Sequence, residues 1–453
     1  MTIKWINKNV TVLGLSLSGI ATAKYLSSKG ADCIISEKRA ERQEDQQKID
    51  ELEVLGIKVE MGGHQGETIL NSDIVVTSPG IPPHSEVIRL IKSHKIQSTG
   101  EIGLAYTETS VPFIAITGTN GKTTTTKLVS EILTNAGYNA PACGNIGLPV
   151  ISLVEKPDID YFVAEVSSYQ IETNQVFKPQ IALFLNYTPD HIDWHGSEEA
   201  YFEAKAGLFT DHRSPIWAIL NACDPKICEL RHKSLSNVVY FGREMPGPSV
   251  YMKDNKIFAK SKNKIEKIIE VEDISLIGKH NYQNIMAAIA IASVVQVESD
   301  TIRETIKNFK APEHRLEYVT AIGGISYYND SKATNCDSTI CALKAFNDDK
   351  VVLIAGGRDK GTDLNELVET IKKQAAHVVL IGEAADRFQQ ALQDGNYTNI
   401  SRAVTLEEAI DAAGNLKLGP VLFAPACASF DMFKNFEERG RVFKDYVIKK
   451  SNE

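Results

Sequence analysis

Between Val111 and Thr125 the chain reads Val-Pro-Phe-Ile-Ala-Ile-Thr-Gly-Thr-Asn-Gly-Lys-Thr-Thr-Thr, and no other stretch constrains the fold as tightly. The apolar, β-branched run from Phe113 to Ile116 predicts a buried strand. It breaks at Gly118-Thr119-Asn120-Gly121-Lys122-Thr123, and Leu128, Val129, Ile132 and Leu133 follow at helical spacing. Strand, glycine loop and helix in that order build a phosphate cradle. Main-chain N–H groups at the helix N-terminus face the anion, glycine lets the backbone come close, Lys122 supplies charge, and the Thr123 hydroxyl can hold Mg²⁺. The strict form of this loop has glycine where the chain has Ile116, so the motif is a variant carried by its context. Gly118, Thr119, Asn120, Gly121, Lys122, Thr123 and Thr124 are the candidates for holding the phosphates of ATP or GTP.

At 453 residues the chain exceeds one typical core, so two or three domains are expected. A formal net charge of −9 argues against general nucleic-acid binding. Seven cysteines without paired short spacings read as reduced thiols rather than a disulfide framework or a zinc site. The chain reaches a strand at Val10 without a signal-like apolar region, and no apolar run approaches the ~20 residues that span a bilayer. A cytoplasmic enzyme is the expectation.

Strands alternate with helical patterns in three blocks. The first runs from Val10 to Leu15 through a helix at Ile20–Leu26, then Ala31–Ile35 and Asp73–Val76, closed by the turn Ser78-Pro79-Gly80-Ile81-Pro82-Pro83. The second has strands at Tyr161–Val166, Ile181–Asn186 and Trp217–Leu220, and the lysine-rich stretch from Arg243 to Lys264 reads as a small hairpin insertion. The third has strands at Val351–Ile354, Val378–Ile381 and Val421–Phe423. The expected fold is therefore α/β in three domains: a Rossmann-like domain over 1–105, a central P-loop mononucleotide-binding domain over 106–310, and a Rossmann-like C-terminal domain over 311–453. Ligands in such parallel sheets sit beyond the C-terminal strand ends, in clefts.

Gly14-Leu-Ser-Leu-Ser-Gly19 resembles a dinucleotide fingerprint with Ser16 in place of the second glycine, and an ordinary βα turn is an equal alternative. Glu37 falls where a ribose-binding acid would. Read alone, these residues suggest a nucleotide ligand and, by extrapolation, an oxidoreductase. In the second block, Glu165 and His191 follow strands beside the phosphate loop, which suits Mg²⁺ bridging phosphates; taken singly, each reads as a surface or loop residue. Asn281 and Asn284, at the start of a helix, have amides suited to adenine, and Asn281 is also a candidate helix cap. In the third block Arg315, Lys332, Thr334, Lys360 and Ser429 gather toward one edge, a cationic, hydroxyl-lined pocket for a small anion.

Taken in order, Gly118-Thr-Asn-Gly-Lys-Thr123, Gly144-Asn-Ile-Gly147, Glu165-Val-Ser-Ser-Tyr-Gln170, Asp190-His191, Gly278-Lys-His-Asn-Tyr-Gln-Asn284, Glu313-His-Arg315 and Asp330-Ser-Lys-Ala-Thr-Asn335 resemble the motif series of the Mur ligase family. These are ATP-dependent amide-forming enzymes of peptidoglycan precursor synthesis, and the resemblance spans essentially the whole chain. Ser78-Pro-Gly-Ile81 and the run from Pro425 to Gly440 resemble the branch that adds D-glutamate to UDP-N-acetylmuramoyl-L-alanine. The resemblance implies that Leu17, Ser18, Glu37, Ser78 and Gly80 serve the sugar nucleotide and that Asn145 touches it. It implies ATP and Mg²⁺ at Lys122, Thr123, Glu165 and His191, with Asn281 and Asn284 toward adenine and Arg315 and Asp330 completing the nucleotide site. Lys332, Thr334, Lys360, Ser429 and Phe436 would form the D-glutamate pocket.

Lys205 matches the lysine that the family carbamylates, which would make it an anionic metal ligand. Carbamylation needs the neutral amine, and an ordinary lysine near pH 7 is neutral only about one part in a thousand. Burial or neighbouring cations must lower its pKa, or the metal must trap the product; without the resemblance it reads as a solvated helical lysine. The implied reaction passes through an acyl phosphate, in a monomer without nucleic-acid partners, with the third domain closing on ATP. The competing expectations are a folylpolyglutamate-type ligase, a Mur ligase with another acceptor, a P-loop switch, and an NAD-dependent oxidoreductase.

Overall fold

The protein is represented by a computed structural model that describes residues 5–210, 213–276, 278–346, 349–359 and 361–452. Three sheets follow one another along the chain. The first holds β1 (Asn9–Leu13), β2 (Asp32–Ser36), β3 (Lys58–Glu60), β4 (Ile74–Thr77) and β5 (Gln97–Gly100), all parallel in the order β3-β2-β1-β4-β5. The second holds β6 (Phe113–Thr117), β7 (Ala142–Gly144), β8 (Phe162–Glu165), β9 (Ile181–Phe184), β10 (Trp217–Asn221), β11 (Asn237–Gly242), β12 (Ser249–Lys253), β13 (Lys256–Lys260) and β14 (Ile265–Glu270). Their order is β14-β13-β12-β11-β10-β9-β6-β8-β7, parallel from β7 to β12 and antiparallel beyond. The third holds β15 (Glu317–Ile322), β16 (Ile325–Asn329), β17 (Val351–Gly356), β18 (Ala375–Ile381), β19 (Ile400–Arg402) and β20 (Val421–Phe423), in the order β15-β16-β20-β17-β18-β19 with only the β15–β16 pair antiparallel.

Inner parallel strands such as β6 and β17 are nearly continuous apolar runs, buried on both faces. In β17, Val351, Leu353 and Ala355 enter one buried cluster while Val352 and Ile354 enter another, the two-residue period of a strand buried twice. The same alternation divides Val12 from Leu13 and Val76 from Val75 in the first sheet. The chain forms two compact units, Met1–Asp273 with Asn284–Ile306, and Ile274–Gln283 with Lys307–Glu453. Within the first unit one core runs unbroken from Trp5 and Val10 of the first block to Phe113, Phe184 and Tyr240 of the second.

The lysine-rich stretch Arg243–Lys264 holds the expected hairpin, β12 and β13, and β14 just beyond it extends the pair to a three-stranded meander that lengthens the central sheet. Asp254 and Asn255 at φ 47° and 55° make the tight turn between β12 and β13, the left-handed pair that matches strand twist. Tyr240↔Ser249 pairing joins β12 to β11 in parallel. Asn281 is the third residue of the Lys279–Val295 helix, past the position of a cap.

Candidate active site

The central sheet places β6 between β9 and β8, so the loops after β6, β8 and β9 emerge side by side at one edge. After the fully buried β6 the backbone turns through Gly118 and Gly121, the latter left-handed at φ 81°, into the Lys122–Asn135 helix. A Cβ on Gly121 would collide with Asn284 Oδ1, so only glycine fits there. Asn186, from the loop after β9, holds the phosphate loop in shape. Its Oδ1 accepts from the N–H groups of Thr119 (3.1 Å) and Asn120 (2.9 Å), and its Nδ2 donates to Asn120 O at 3.0 Å. The Thr119 hydroxyl donates to Thr188 O at 3.0 Å and accepts from the Thr188 N–H and the Tyr201 hydroxyl. Lys122 Nζ donates to Gly118 O (2.9 Å) and Thr119 O (2.8 Å), which keeps its charge over the loop.

Glu165, at the end of β8, is buried and ties three candidates together. The Thr123 hydroxyl donates to its Oε2 at 2.8 Å and Asn145 Nδ2 donates to its Oε1 at 3.1 Å. Asn145 is held by its own N–H donating to Glu165 O at 2.9 Å, and a Cβ on Gly144 would collide with that carbonyl. Thr123 and Glu165 thus present two hard oxygen donors together. Among the described residues no three His, Cys, Asp or Glu side chains cluster as a metal cage. A metal here would complete its shell from phosphates and water, as Mg²⁺ does; the donor set fits that ion.

Lys205 is not a solvated lysine: only 2 % of it is exposed. Its Nζ donates to Gly118 O at 2.9 Å and lies 4.5 Å from the centre of the Tyr201 ring. Burial pushes its pKa well below the ordinary lysine value, and the Lys122 charge pushes the same way against Asp190 and Glu165. Both conditions set by the sequence argument are therefore met. His191 sits in the left-handed region at φ 53°, a strained backbone for a non-glycine residue. Its ring meets Tyr169 edge-on at 5.2 Å, and Tyr169 also packs on Trp194 and His195.

In the first sheet the loops after β1, β2 and β4 lie together because these strands are neighbours. The departure at Ser16 has a structural reason: it is the N-cap of the Leu17–Ser28 helix, its Oγ accepting from Gly19 N–H at 3.2 Å and lying 3.2 Å from Ser78 Oγ. Glu37 accepts from the N–H groups of Leu15 (2.9 Å) and Arg39 (3.1 Å), so it braces the loop as well as facing it. At the helix start Leu17 is exposed and Ser18 half-buried, and Gly80 has open space where a Cβ would stand. His64, which no motif had marked, lies 3.0 Å from Ser36 Oγ, and burial lowers its pKa.

In the third sheet the loops after β16, β20 and β17 share one edge. Lys332 Nζ lies 4.4 Å from the centre of the Phe436 ring, and Ser429 is buried. Thr334 is part-buried, its N–H donating to Lys332 O. Arg315 Nε is buried without a hydrogen-bond partner, an orphan donor that an anionic ligand would satisfy. Asp330 is pushed up to about 6 by burial, with Arg315 opposing. Lys360 lies outside the described residues. Sequence reading missed Arg439, which is 1 % exposed. It donates from Nε to Ser331 Oγ, from Nη1 to Cys427 O and Ala428 O, and from Nη2 to Ser331 O and Cys427 O. It thereby joins the loop after β16 to the loop after β20.

Three family models match the chain: the Mur ligase MurD-like N-terminal domain over residues 8–100, the Mur ligase middle domain over 116–292, and the Mur ligase glutamate ligase domain over 314–427. The chain is 40% identical over 446 residues to a UDP-N-acetylmuramoylalanine–D-glutamate ligase of Thermoanaerobacter pseudethanolicus, covering 97% of this chain and 98% of the relative. It is 39% identical over 446 residues to the protein of the same name from Pelotomaculum thermopropionicum, covering 97% of each. Its fold is similar to that of MurF from Acinetobacter baumannii, with a TM-score of 0.61 at 15% identity over 100% of this chain and 93% of the other.

Proposed function

Since the chain belongs to the Mur ligase family, we propose that it joins D-glutamate to UDP-N-acetylmuramoyl-L-alanine at the expense of ATP, in cytoplasmic peptidoglycan precursor synthesis. The observation that carries this reading is the 40% identity maintained over 97% of the chain, which takes in the first-domain loops and the closing Pro425–Gly440 run together.

The L-alanine carboxylate attacks the γ-phosphorus, the bond to ADP breaks, and an acyl phosphate forms. The D-glutamate ammonium loses one proton, its amine attacks the acyl carbon, phosphate leaves carrying the second proton, and an amide remains. Both attacks bring anions together, so the protein's task is alignment and charge neutralisation, and alignment can contribute about 7–11 kcal/mol. Lys122 and the loop N–H groups hold the phosphates. Thr123, Glu165 and His191 would hold Mg²⁺, which supplies charge neutralisation at the phosphates when bound. Asn145, hydrogen-bonded to Glu165, would keep the sugar nucleotide in register with that centre. Asn281 and Asn284 serve adenine, and Arg315 and Asp330 the nucleotide from the third domain. Lys332, Thr334, Lys360, Ser429 and Phe436 form the D-glutamate pocket, with Arg439 holding its loops.

Lys205 is carbamylated: its neutral amine adds to CO₂, a proton leaves, and the resulting carbamate is an anion. Its burial and the nearby Lys122 support this by enlarging the neutral fraction. Mass spectrometry of protein equilibrated with ¹³CO₂ and trapped by alkylation should place the label on Lys205; label elsewhere, or none, removes this part of the reading.

The reaction is tested by ATP-dependent phosphate release with UDP-N-acetylmuramoyl-L-alanine against a panel of D- and L-amino acids, with product masses measured. Turnover confined to D-glutamate, one unit added, is expected. Turnover with another amino acid would overturn the acceptor. No acceptor-dependent turnover from protein that binds ATP would favour a nucleotide switch.

A further inference from the structure

Asn174 joins two helices end to end, one in the first block and one that begins inside the Glu165–Gln170 motif. The Glu101–Glu108 helix, which leads out of β5, starts at Gly100 and so has no capping side chain of its own. Asn174 supplies one from the neighbouring block: its Oδ1 accepts from the N–H groups of Gly100 (2.8 Å) and Gly103 (2.9 Å). These are among the amides that a helix leaves unpaired at its start. The fit is close, since a Cβ on Gly103 would collide with that oxygen. In the other direction Asn174 Nδ2 donates to Gln170 O at 2.5 Å, a carbonyl left over at the end of the Ser168–Thr173 helix. The side chain is 1 % exposed.

The far end of the Ser168–Thr173 helix lies at the phosphate site. It starts three residues after Glu165, with Ser167 and Gln170 forming a reciprocal cap. Ser168 Oγ is 3.0 Å from His195 Nε2, and Tyr169 packs on His191, Trp194 and His195. Six helical residues make a rigid strut about 9 Å long. The Glu101–Glu108 helix has a second fastening to the central block, because Glu101 Oε1 accepts from Ile151 N–H at 2.7 Å, shortly after the Asn145 loop. A shift of the first sheet would thus be transmitted to the groups around Glu165 and His191.

We infer that Asn174 is a positioning residue that couples sugar-nucleotide binding in the first domain to ATP binding at the central phosphate site. The inference rests on the substrate reading above. Coupling of this kind is reciprocal and is measured as a ratio of affinities.

The test measures binding of a non-hydrolysable ATP analogue by calorimetry, with and without saturating UDP-N-acetylmuramoyl-L-alanine. In the unaltered chain the sugar nucleotide should tighten analogue binding by about fivefold or more. Asn174→Ala should reduce that factor below about twofold while leaving analogue affinity alone nearly unchanged. Asn174→Asp keeps the acceptor for Gly100 and Gly103 but loses the donor to Gln170 O, so it should reduce the factor as Asn174→Ala does. Gly103→Ala attacks the same contact from the other side and should mimic Asn174→Ala, which guards against an alanine variant that folds poorly. An unchanged factor in the folded variants, or no coupling in the unaltered chain, overturns the proposal and leaves the ligase reading intact. Failure of the unaltered chain to bind the sugar nucleotide at all would instead overturn the substrate reading, and this proposal with it.

Discussion

The central phosphate site and the third-domain loops use buried charge in opposite ways. In the centre the candidate groups hold one another: Thr123 and Asn145 donate to Glu165, and Lys205 and Lys122 share the Gly118 carbonyl. In the third domain the candidate groups are held by a bystander. Arg439 meets Ser331, Cys427 and Ala428 through a hydroxyl and main-chain carbonyls, with no carboxylate among them, and burial lowers its pKa to about 10. A site that positions itself loses chemistry when one member changes. A site positioned from outside loses shape first.

That contrast is broken most directly at Glu165. Glu165→Gln keeps the size and an acceptor for Thr123 but removes the charge. If the central groups act on the phosphates, kcat should fall about a thousandfold, or about 4 kcal/mol, with the melting temperature nearly unchanged. A loss below tenfold would show that Glu165 is a scaffold like Arg439 and would erase the distinction.

The matching change is Arg439→Met. Hydrogen bonds from a charged donor are worth about 1.5–3 kcal/mol each and several carbonyls would be left unpaired, so the third domain should lose about 3–4 kcal/mol. KM for D-glutamate should rise while affinity for the sugar nucleotide stays put. Arg439→Lys should not rescue, because one ammonium cannot span the five acceptor contacts that the guanidinium fork reaches. Equal losses at both substrates would mean that the residue supports the whole molecule rather than this pocket.

The same contrast governs what the sequence reveals. The phosphate loop is legible because its requirements are local: a buried strand, glycines at φ 154° and 81°, and a helix start within a dozen residues. Ser16, the departure from the glycine motif, is a helix cap, since the same few residues can satisfy either rule. The burial of Lys205 was not legible, because a lysine in Tyr-Phe-Glu-Ala-Lys carries no local sign of the Gly118 carbonyl that it meets from 87 positions away. Asn186, Asn174 and Arg439 were missed for the same reason: each is an ordinary polar residue until distant backbone closes around it. The hairpin of β12 and β13 was legible, and β14 beyond it was not, because Glu266, Lys267 and Glu270 interrupt its apolar residues. The edge strands β3, β7 and β19, at three residues each, are too short for any period to declare itself.

Glu101 extends the comparison to a buried anion. Its carboxylate has main-chain donors at Val150 and Ile151, and burial pushes its pKa up to about 7 from 4.5. A raised carboxyl pKa means that the folded state prefers the proton. Its contribution to stability is therefore largest below pH 4.5, declines as pH rises toward 7, and is flat above. The shift corresponds to about 3 kcal/mol. Glu101→Gln cannot ionise, so the difference in melting temperature between variant and parent should change across pH 4.5–7 and level off outside that window. The slope is the readout, because the amide alters the constant part. A pH-independent difference would mean that folding leaves the pKa of this carboxyl unshifted, its main-chain donors offsetting the burial.

The smallest effect isolates shape from charge. Asn435 caps the Phe436–Ser451 helix, its Oδ1 accepting from Glu438 N–H at 2.7 Å. That helix carries both Phe436, beneath Lys332, and Arg439. Asn435→Ala should cost about 1 kcal/mol of stability, with the helix start fraying rather than the Arg439 hydrogen bonds breaking. If the third-domain pocket depends on shape, even this change should raise KM for D-glutamate a few-fold while kcat at saturation stays within twofold. An equally mild loss at the helix of the central site, from Ser167→Ala, should leave KM for D-glutamate alone. If the two cap variants shift that KM alike, the two regions are not positioned independently, and the contrast between a self-held centre and an externally held pocket gives way to one cooperative scaffold.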